Sequence, residues 1–369
     1  MAFLEMNIDK LKHNYDFLDN LFNSNNIHWA IVSKILCGNK LFLNEVLKLG
    51  INQICDSRLT NLKNVKLIND KIQTIYIKPP ASRDIANIIK YADISVNTEI
   101  STIKSLSRVA KKYNKVHKIF IMIEMGELRE GVLRNDFIKF YEKVFKLENI
   151  EVIGIGTNFS CLYGVLPNVD KLIQLSLYEQ LVEAKFDKEI PYVSGGSSVV
   201  IPLLISKILP RGINHFRVGE TFFLGTDVYN NSNIEGMELD IFKLYVEIIE
   251  LTKKSTIPSG NLGTNVDGKS FEFDSDELGK KSIRAIINLG LLDVDEKHIW
   301  PVDKNIEFVG ASSDMIVIDL KDNPKRYKVG DLLEFNMDYM GILRLMNSKY
   351  IKKKINTSAN IAIPADSRA

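Results

Sequence analysis

Up to about residue 225, short apolar runs rich in β-branched residues alternate with longer stretches of helical period. The runs are HWAIVSK (28–34), NQIC (52–55), IQTIYIK (72–78), DISV (93–96), KIFIMIE (118–124), EVIGIG (151–156), IPYVS (190–194) and NHFRV (214–218). Between them, seven stretches repeat apolar residues every three or four positions; one runs from Thr98 to Tyr113 and carries Ile100, Ile103, Leu106, Val109 and Ala110. Eight strands separated by helices predict a parallel sheet, which either closes into a (β/α)8 TIM barrel or stays open and doubly wound. The unusual residues favour the barrel. Lys34 follows the first strand, Arg129 the fifth, Asn158 the sixth, and Ser197 and Ser198 the seventh, while Arg217 lies in the eighth. Strand C-termini converge on one mouth of a barrel, whereas an open sheet would spread these groups along an edge.

Ahead of the first run, Leu11, Tyr15, Leu18 and Phe22 stand at helical spacing and predict a helix over the barrel floor. Beyond Gly225 the texture changes. FKLYVEIIEL (242–251), SIRAIINL (282–289), NIEFVGA (305–311), MIVIDL (315–320) and DLLEFNM (331–337) are strand-like runs separated by turn residues. The expected organisation is a barrel over residues 1–231, a smaller C-terminal all-β domain over 232–355, and a mobile tail over 356–369.

The composition of the 369 residues, 45% apolar and 25% charged, is that of a globular chain. Lys and Arg number 48 against 46 Asp and Glu, a balance of +2 that gives no electrostatic reason to expect nucleic acid or an anionic membrane as partner. Cys37, Cys55 and Cys161 are odd in number and widely spaced, which fits neither a disulfide framework nor a metal quartet and predicts a reducing cytoplasm. His13, His28, His117, His215 and His298 show no metal-ligand spacing, so no metal is expected. The opening MAFLEMNIDKLKHNYDF lacks the continuous apolar core of a signal peptide. The uncharged run Ile190–Ser206 is broken by Pro191, Gly195, Gly196 and Pro202, and so fails as a membrane-spanning helix.

Lys34 ends an apolar strand directly before ILCGN, where partial desolvation would favour the neutral amine that Schiff-base chemistry needs. A lysine that snorkels from a strand end to solvent is the plainer alternative. In VSGGSS (193–198), Gly195 and Gly196 free the backbone to approach a ligand and Ser198, after Ser197, stands at the start of the next helix, an arrangement suited to phosphate. RVGE (217–220) adds a second glycine turn after the eighth strand, and the loops after strands seven and eight are the usual phosphate site of this barrel. Arg217, flanked by Phe216 and Val218, is expected to point into the mouth, either to fix an anion or ring nitrogen or to make a structural salt bridge. An amine, a phosphate site and an arginine on one mouth together describe a place for pyridoxal phosphate.

VSKILCGN (32–39), CDSRLTNL (55–62), GELREGV (126–132), GIGTNFSC (154–161), VSGGSS (193–198), HFRVGETFFLG (215–225) and GASSDMIVIDL (310–320) resemble the alanine racemase superfamily, the barrel-type, fold type III pyridoxal phosphate enzymes. The chain looks closest to the ornithine racemase-like branch, and the likeness runs in order over about residues 3–352. The resemblance implies a head-to-tail homodimer that racemises an amino acid. It assigns Lys34 to the covalent attachment of pyridoxal 5'-phosphate and to one of two proton transfers. Ser198, the amides of Gly219 and Glu220, and Tyr339 would bind the phosphate; Arg217 would face the pyridine nitrogen, Arg129 the ring hydroxyl and Asn158 the ring face. Ser313 and Asp314, in Ser-Ser-Asp at 312–314, match a partner-subunit loop that meets the substrate carboxylate.

The chain also departs from the family pattern. Where alanine racemases carry Gly-Tyr-x-Asp-Gly, with the tyrosine as second base, Gly290-Leu291-Leu292-Asp293-Val294 stands here. Cys37-Gly38 replaces the phosphate-binding tyrosine after the lysine, and Met315 replaces the histidine usual after Ser-Ser-Asp in the ornithine racemase-like branch. Candidates for the second acid/base are Cys161, Cys37, Asp314 and Tyr339, with Cys161 favoured because the GTNFSC loop faces the mouth and a thiol transfers protons readily. Asp314, Glu130 and Glu124 are available to meet a distal amine of a basic substrate such as ornithine or lysine. The alternatives are a non-catalytic pyridoxal phosphate carrier and a decarboxylase or aldolase on the same fold.

Overall fold

The computed structural model describes residues 1–264 and 278–357 and, between them, Gly268, Ser270, Glu272, Phe273 and Asp276. The chain divides into two compact units, Asp9–Leu239 and, separately, Met1–Ile8 together with the residues from Asp240 onward.

The chain opens with β1 (Ala2–Asn7) and α1 (Ile8–Asn23). The first unit is a closed parallel barrel of eight strands: β2 (His28–Val32), β3 (Gln53–Asp56), β4 (Gln73–Tyr76), β5 (Ile94–Asn97), β6 (His117–Met122), β7 (Ile150–Gly156), β8 (Tyr192–Gly196) and β9 (His215–Val218). Pairing of β2 with β9 closes it, Ala30 opposite Arg217. Every strand lies within two residues of its expected position. Between and after the strands come α2 (Lys40–Lys48), α3 (Leu59–Ile68), α4 (Ile85–Tyr91), α5 (Ile100–Lys112), α6 (Phe137–Val144), α7 (Val169–Phe186), α8 (Ile201–Ile205) and α9 (Glu220–Leu224).

The local causes are those the pattern anticipates. Asn39 caps α2 by accepting from the Phe42 amide at 3.1 Å, and Asn168 caps α7 from the Lys171 amide at 2.8 Å. Helix α5 buries Ile103, Leu106 and Ala110, one apolar stripe, while α1 buries Leu11, Tyr15, Leu18 and Phe22. Inside the barrel, Ala30, Ile75, Val96, Phe120 and Met122 form part of one buried cluster. Fully burying each large apolar side chain stabilises by ~1.5–3 kcal/mol.

A two-stranded ladder of β10 (Thr226–Asp227) and β11 (Ser232–Asn233) follows the barrel. The second unit is a mostly antiparallel sheet in the order β14 (Ile299–Pro301), β17 (Leu332–Met337), β12 (Phe242–Ser255), β13 (Lys281–Ile287), β16 (Ile316–Asp319) and β15 (Glu307–Ala311). Two features differ from expectation. The first residues of the chain, assigned to the barrel by the sequence reading, form β1, antiparallel to β12 and parallel to β18 (Lys352–Asn356). Ala2, Phe3, Leu4 and Met6 are buried there, which gives this strand its place in the sheet. The second unit is also not purely β, because α10 (Tyr339–Asn347) interrupts it. Its cause is local: Asp338 caps the helix by accepting from the Gly341 amide at 2.8 Å, and Ile342, Leu345 and Met346 are buried at helical spacing. Of the expected tail, Asn356 ends β18, and residues 358–369 lie outside the described residues.

Among the described residues no helix is long and apolar enough to cross a membrane, and no group of His, Cys, Asp and Glu could hold a metal ion.

Candidate active site

The C-terminal ends of the barrel strands bring most of the expected residues to one rim. Lys34 is half-buried in the 3-10 turn Ser33–Leu36 that follows β2. Beneath it the turn is pinned: the buried Ser33 hydroxyl donates to Asp56 at 2.9 Å, and Asp56 also accepts from Asn61 and the Arg58 amide.

Arg217, on β9, is 5% exposed. It donates to the Thr157 carbonyl and to Asn158 Oδ1, each at 2.8 Å, and to Ser194 Oγ. All three acceptors are uncharged, so the salt bridge that the sequence left open is not made: among the described residues no ion pair involves Arg217. Burial works to lower its pKa, but a guanidinium keeps its proton throughout the protein's pH range. The Thr157 hydroxyl, on the same rim, is buried without a hydrogen-bond partner.

Asn158 passes its own amide hydrogen to Glu130, and Glu130 grips Arg129, with Nη2 to Oε1 at 2.6 Å. Burial pulls the Arg129 pKa down, but the Glu130 hydrogen bond and neighbouring carboxylates outweigh it, and the net direction is up. Glu130 is thus engaged by Arg129 and Asn158. Glu124 is likewise engaged, accepting from the amides of Gly126 at 2.7 Å and Leu128 at 2.9 Å. Of the three acids expected to be available to a distal amine, these two already hold the site's own loops.

At the end expected to take phosphate, Gly196 has φ +135°, a conformation that side chains rarely adopt. Ser197 accepts from the Val200 amide at 3.0 Å, and the buried Ser198 hydroxyl accepts from the Thr221 amide at 3.1 Å, joining the β8 turn to the start of α9. A Cβ on Gly219 would lie 3.2 Å from that of Val32, so this turn packs closely against the strand that leads to Lys34. Gly219 precedes α9 and Glu220 begins it.

Cys161 is exposed, and its thiol meets the Phe159 carbonyl at 3.3 Å. Burial of the sulfur raises its pKa above the ordinary 9.0; Arg129 and, more weakly, Lys34 pull it back, while Glu130 and Glu127 push it up. These interactions put the thiol in the same electrostatic neighbourhood as Lys34 and Arg129. Sequence reasoning passed over Glu127. Its carboxylate accepts from the amides of Ser160 (3.0 Å), Cys161 (2.9 Å), Leu162, Tyr163 (2.8 Å) and Val165 (3.2 Å), so one buried side chain holds the whole Cys161 loop. Burial opposes its charge, yet the amides prevail and its pKa lies below the ordinary value. The signal was faint: an acid after a glycine in GELREGV reads as a solvated loop residue.

In the sheet unit, Ser313 and Asp314 are exposed, and the Ser313 hydroxyl donates to Asp314 at 2.8 Å. The Gly290–Val294 segment lies against them: Leu291 and Leu292 donate to the Ser312 and Ser313 carbonyls at 2.9 and 3.0 Å. A Cβ on Gly290 would come within 2.3 Å of the Ser313 carbonyl, which accounts for glycine there. Tyr339 is half-buried at the first position of α10.

The family model for the N-terminal domain of alanine racemase matches residues 6–227. An ornithine racemase of Acetoanaerobium sticklandii is 36% identical over 353 residues, covering 95% of this chain and 99% of that protein. A lysine racemase of Thermotoga maritima is 30% identical over 350 residues, covering 95% of this chain and 97% of that one. The structure is similar to that of an alanine racemase from Bartonella henselae with covalently bound pyridoxal phosphate, with a TM-score of 0.73 at 16% identity over 96% of this chain and 99% of that one. The chain belongs to the alanine racemase family.

Proposed function

We propose that the protein is a pyridoxal phosphate-dependent racemase of a basic amino acid, ornithine or lysine. The observation that carries this reading is the buried Arg217, met only by uncharged acceptors on the rim that also holds Lys34. A buried cation with no counter-charge is costly unless a ligand lies against it. The donor set fits pyridoxal phosphate: a lysine for the aldehyde, an arginine for the ring, and a hydroxyl with a helix start for the phosphate. Whole-length similarity to racemases of ornithine and lysine supports the substrate class.

When bound, the cofactor supplies an electron sink that acidifies the substrate's Cα hydrogen. Lys34 would hold it covalently through Nζ and, during turnover, take or return the Cα proton at that atom. Ser198, with Gly196 and Ser197 shaping the turn and the amides of Gly219 and Glu220 adding donors, would hold the phosphate, joined by Tyr339. Arg217 would face the ring nitrogen. Because a guanidinium does not surrender a proton, Arg217 would not protonate that nitrogen, which would favour proton return at Cα over transamination. Arg129 and Asn158 would fix the ring hydroxyl and ring face, Arg129 being kept in place by Glu130. Racemisation needs an acid on the opposite face, and the Cys161 Sγ fills that role, since the aligned Leu291 transfers no proton. Ser313 and Asp314 would meet the substrate carboxylate in a head-to-tail homodimer. The three free cysteines favour a cytoplasmic setting.

The test is uptake of pyridoxal phosphate by wild type and by Lys34→Ala, followed by polarimetry on L-ornithine, L-lysine and L-alanine. Loss of rotation with a basic amino acid, dependent on Lys34, supports the reading. A protein that takes up the cofactor but leaves every amino acid unchanged would instead be a carrier.

A further inference from the structure

Barrel interiors are ordinarily filled by layers of branched apolar side chains. Here the lower interior instead carries an unbroken chain of polar ones. Arg217 Nη1 donates to Ser194 Oγ; that oxygen lies 2.8 Å from His215 Nδ1; His215 Nε2 lies 3.0 Å from Gln53 Oε1; and Gln53 Nε2 donates to Gln73 Oε1 at 2.6 Å. Ser194 and His215 have no exposed surface, and Gln53 has 7%. Gln53 and Gln73 begin their strands, at the floor, where they line a cavity of about 370 Å³ with Trp29 and Tyr192. The chain therefore runs the depth of the barrel, from the floor to the guanidinium at the mouth.

The orientation of the Gln53 amide sets the polarity of the links. An amide oxygen can only accept, so the hydrogen between Gln53 and His215 sits on Nε2. In the neutral ring Nδ1 is then a lone pair, the Ser194 hydroxyl donates to it, and the Ser194 oxygen faces Arg217 as an acceptor. With a hydrogen on Nδ1 the Ser194 oxygen would accept from both the ring and the guanidinium, and its own hydroxyl hydrogen would serve neither. The neutral ring with its hydrogen on Nε2 is the form in which the Ser194 hydroxyl hydrogen is itself used. Arg217 and His28 are the charged or titratable groups that act on it, Phe120 and Tyr192 cover its ring, and burial holds its pKa well below the ordinary value.

We infer that Ser194, His215 and Gln53 are positioning residues: through the Ser194 oxygen they present a fixed acceptor to Arg217 from below and so set the orientation in which its guanidinium meets the ligand. The inference rests on the reading of Arg217 as the group that faces the cofactor ring. Thr157 and Asn158 hold the guanidinium from the rim; the Ser194 contact is the third support, and no apolar packing could replace it.

The experiment is nitrogen-15 imidazole NMR on the full chain without added cofactor, followed by steady-state kinetics of the loaded enzyme. In wild type, His215 is expected to show a single tautomer with its hydrogen on Nε2, unchanged between about pH 6 and 9. Gln53→Leu should lose the fixed tautomer and lower kcat by about tenfold or more while KM stays within about twofold. Gln53→Glu is close in shape and keeps an acceptor, so it guards against a folding defect. It should retain the Nε2 hydrogen, stabilise the charged ring, and introduce an acid-side fall in the pH profile that wild type lacks. A hydrogen on Nδ1 in wild type, a ring that titrates across that range, or Gln53→Leu with an altered tautomer and wild-type kcat would each overturn the proposal. If the protein takes up no cofactor, the proposed function falls, and the wild-type imidazole spectrum still decides the hydrogen-bonded chain.

Discussion

Asn158 stands between Arg217 and the carboxylate of Glu130, taking a guanidinium hydrogen on Oδ1 at 2.8 Å and giving its own amide hydrogen to Glu130. One neutral side chain thus separates a buried cation from the nearest acid on this path. Glu130 is left to hold Arg129.

Asn158→Asp is predicted to break this separation. It would set a carboxylate against Arg217 and a second beside Glu130, so cofactor affinity and turnover should both fall, by ~10–100-fold for one misplaced positioning group. Thermal unfolding should shift little, because the new ion pair offsets the new repulsion. Cofactor titration by absorbance, together with a melting curve, checks both parts; unchanged affinity would mean that Asn158 does not insulate the arginine.

Cys161→Ala is expected to keep the cofactor and lose racemisation by ~10²–10⁴-fold, the range for removing a general acid/base. Because burial raises the thiol pKa above 9.0, kcat at saturating substrate should rise with pH in the direction in which Cys161 acts as base and fall in the other, with KM moving in step because enantiomers interconvert with an equilibrium constant of one. Separate initial rates from the L and D enantiomers measure this. Equal rates in wild type and variant would shift the role to Asp314, Tyr339 or Cys37.

Glu127→Ala should strip the acceptor from five amides of the Cys161 loop. Leaving buried donors unsatisfied costs ~1–3 kcal/mol. The wild-type carboxyl is held below its ordinary 4.5, so its contribution is fully present above that value and is lost as pH falls through the lower folded value. Protection of the amides at 160–163 and 165, relative to their intrinsic exchange rates, should therefore fall under acid in wild type and already be low at neutral pH in the variant. Continued protection in the variant would show that the loop holds itself.

Much of the barrel was legible because its signal is local: runs such as KIFIMIE and helical stretches such as Thr98–Tyr113 fix their elements without distant partners. β1 was not, since its six residues gain their strand partners, β12 and β18, from more than two hundred residues away. The DYMGILRLM helix hid inside a strand-like context, and only the Asp338 cap and the spacing of Ile342, Leu345 and Met346 give it away. The placing of Lys34, Arg217 and Ser198 in or just after strands was readable, but their supports were not. Glu127, Ser194, His215 and Gln53 act through hydrogen bonds across 20 to 162 positions of sequence, and nothing in the spacing of a single strand announces them.

The central claim is tested most directly by following the optical rotation of L-ornithine and L-lysine with the cofactor-loaded wild type and with Lys34→Ala. The account predicts that rotation of at least one decays to zero with wild type and stays constant with Lys34→Ala, which also fails to retain the cofactor covalently. Constant rotation of both amino acids with a fully loaded wild-type protein would contradict it.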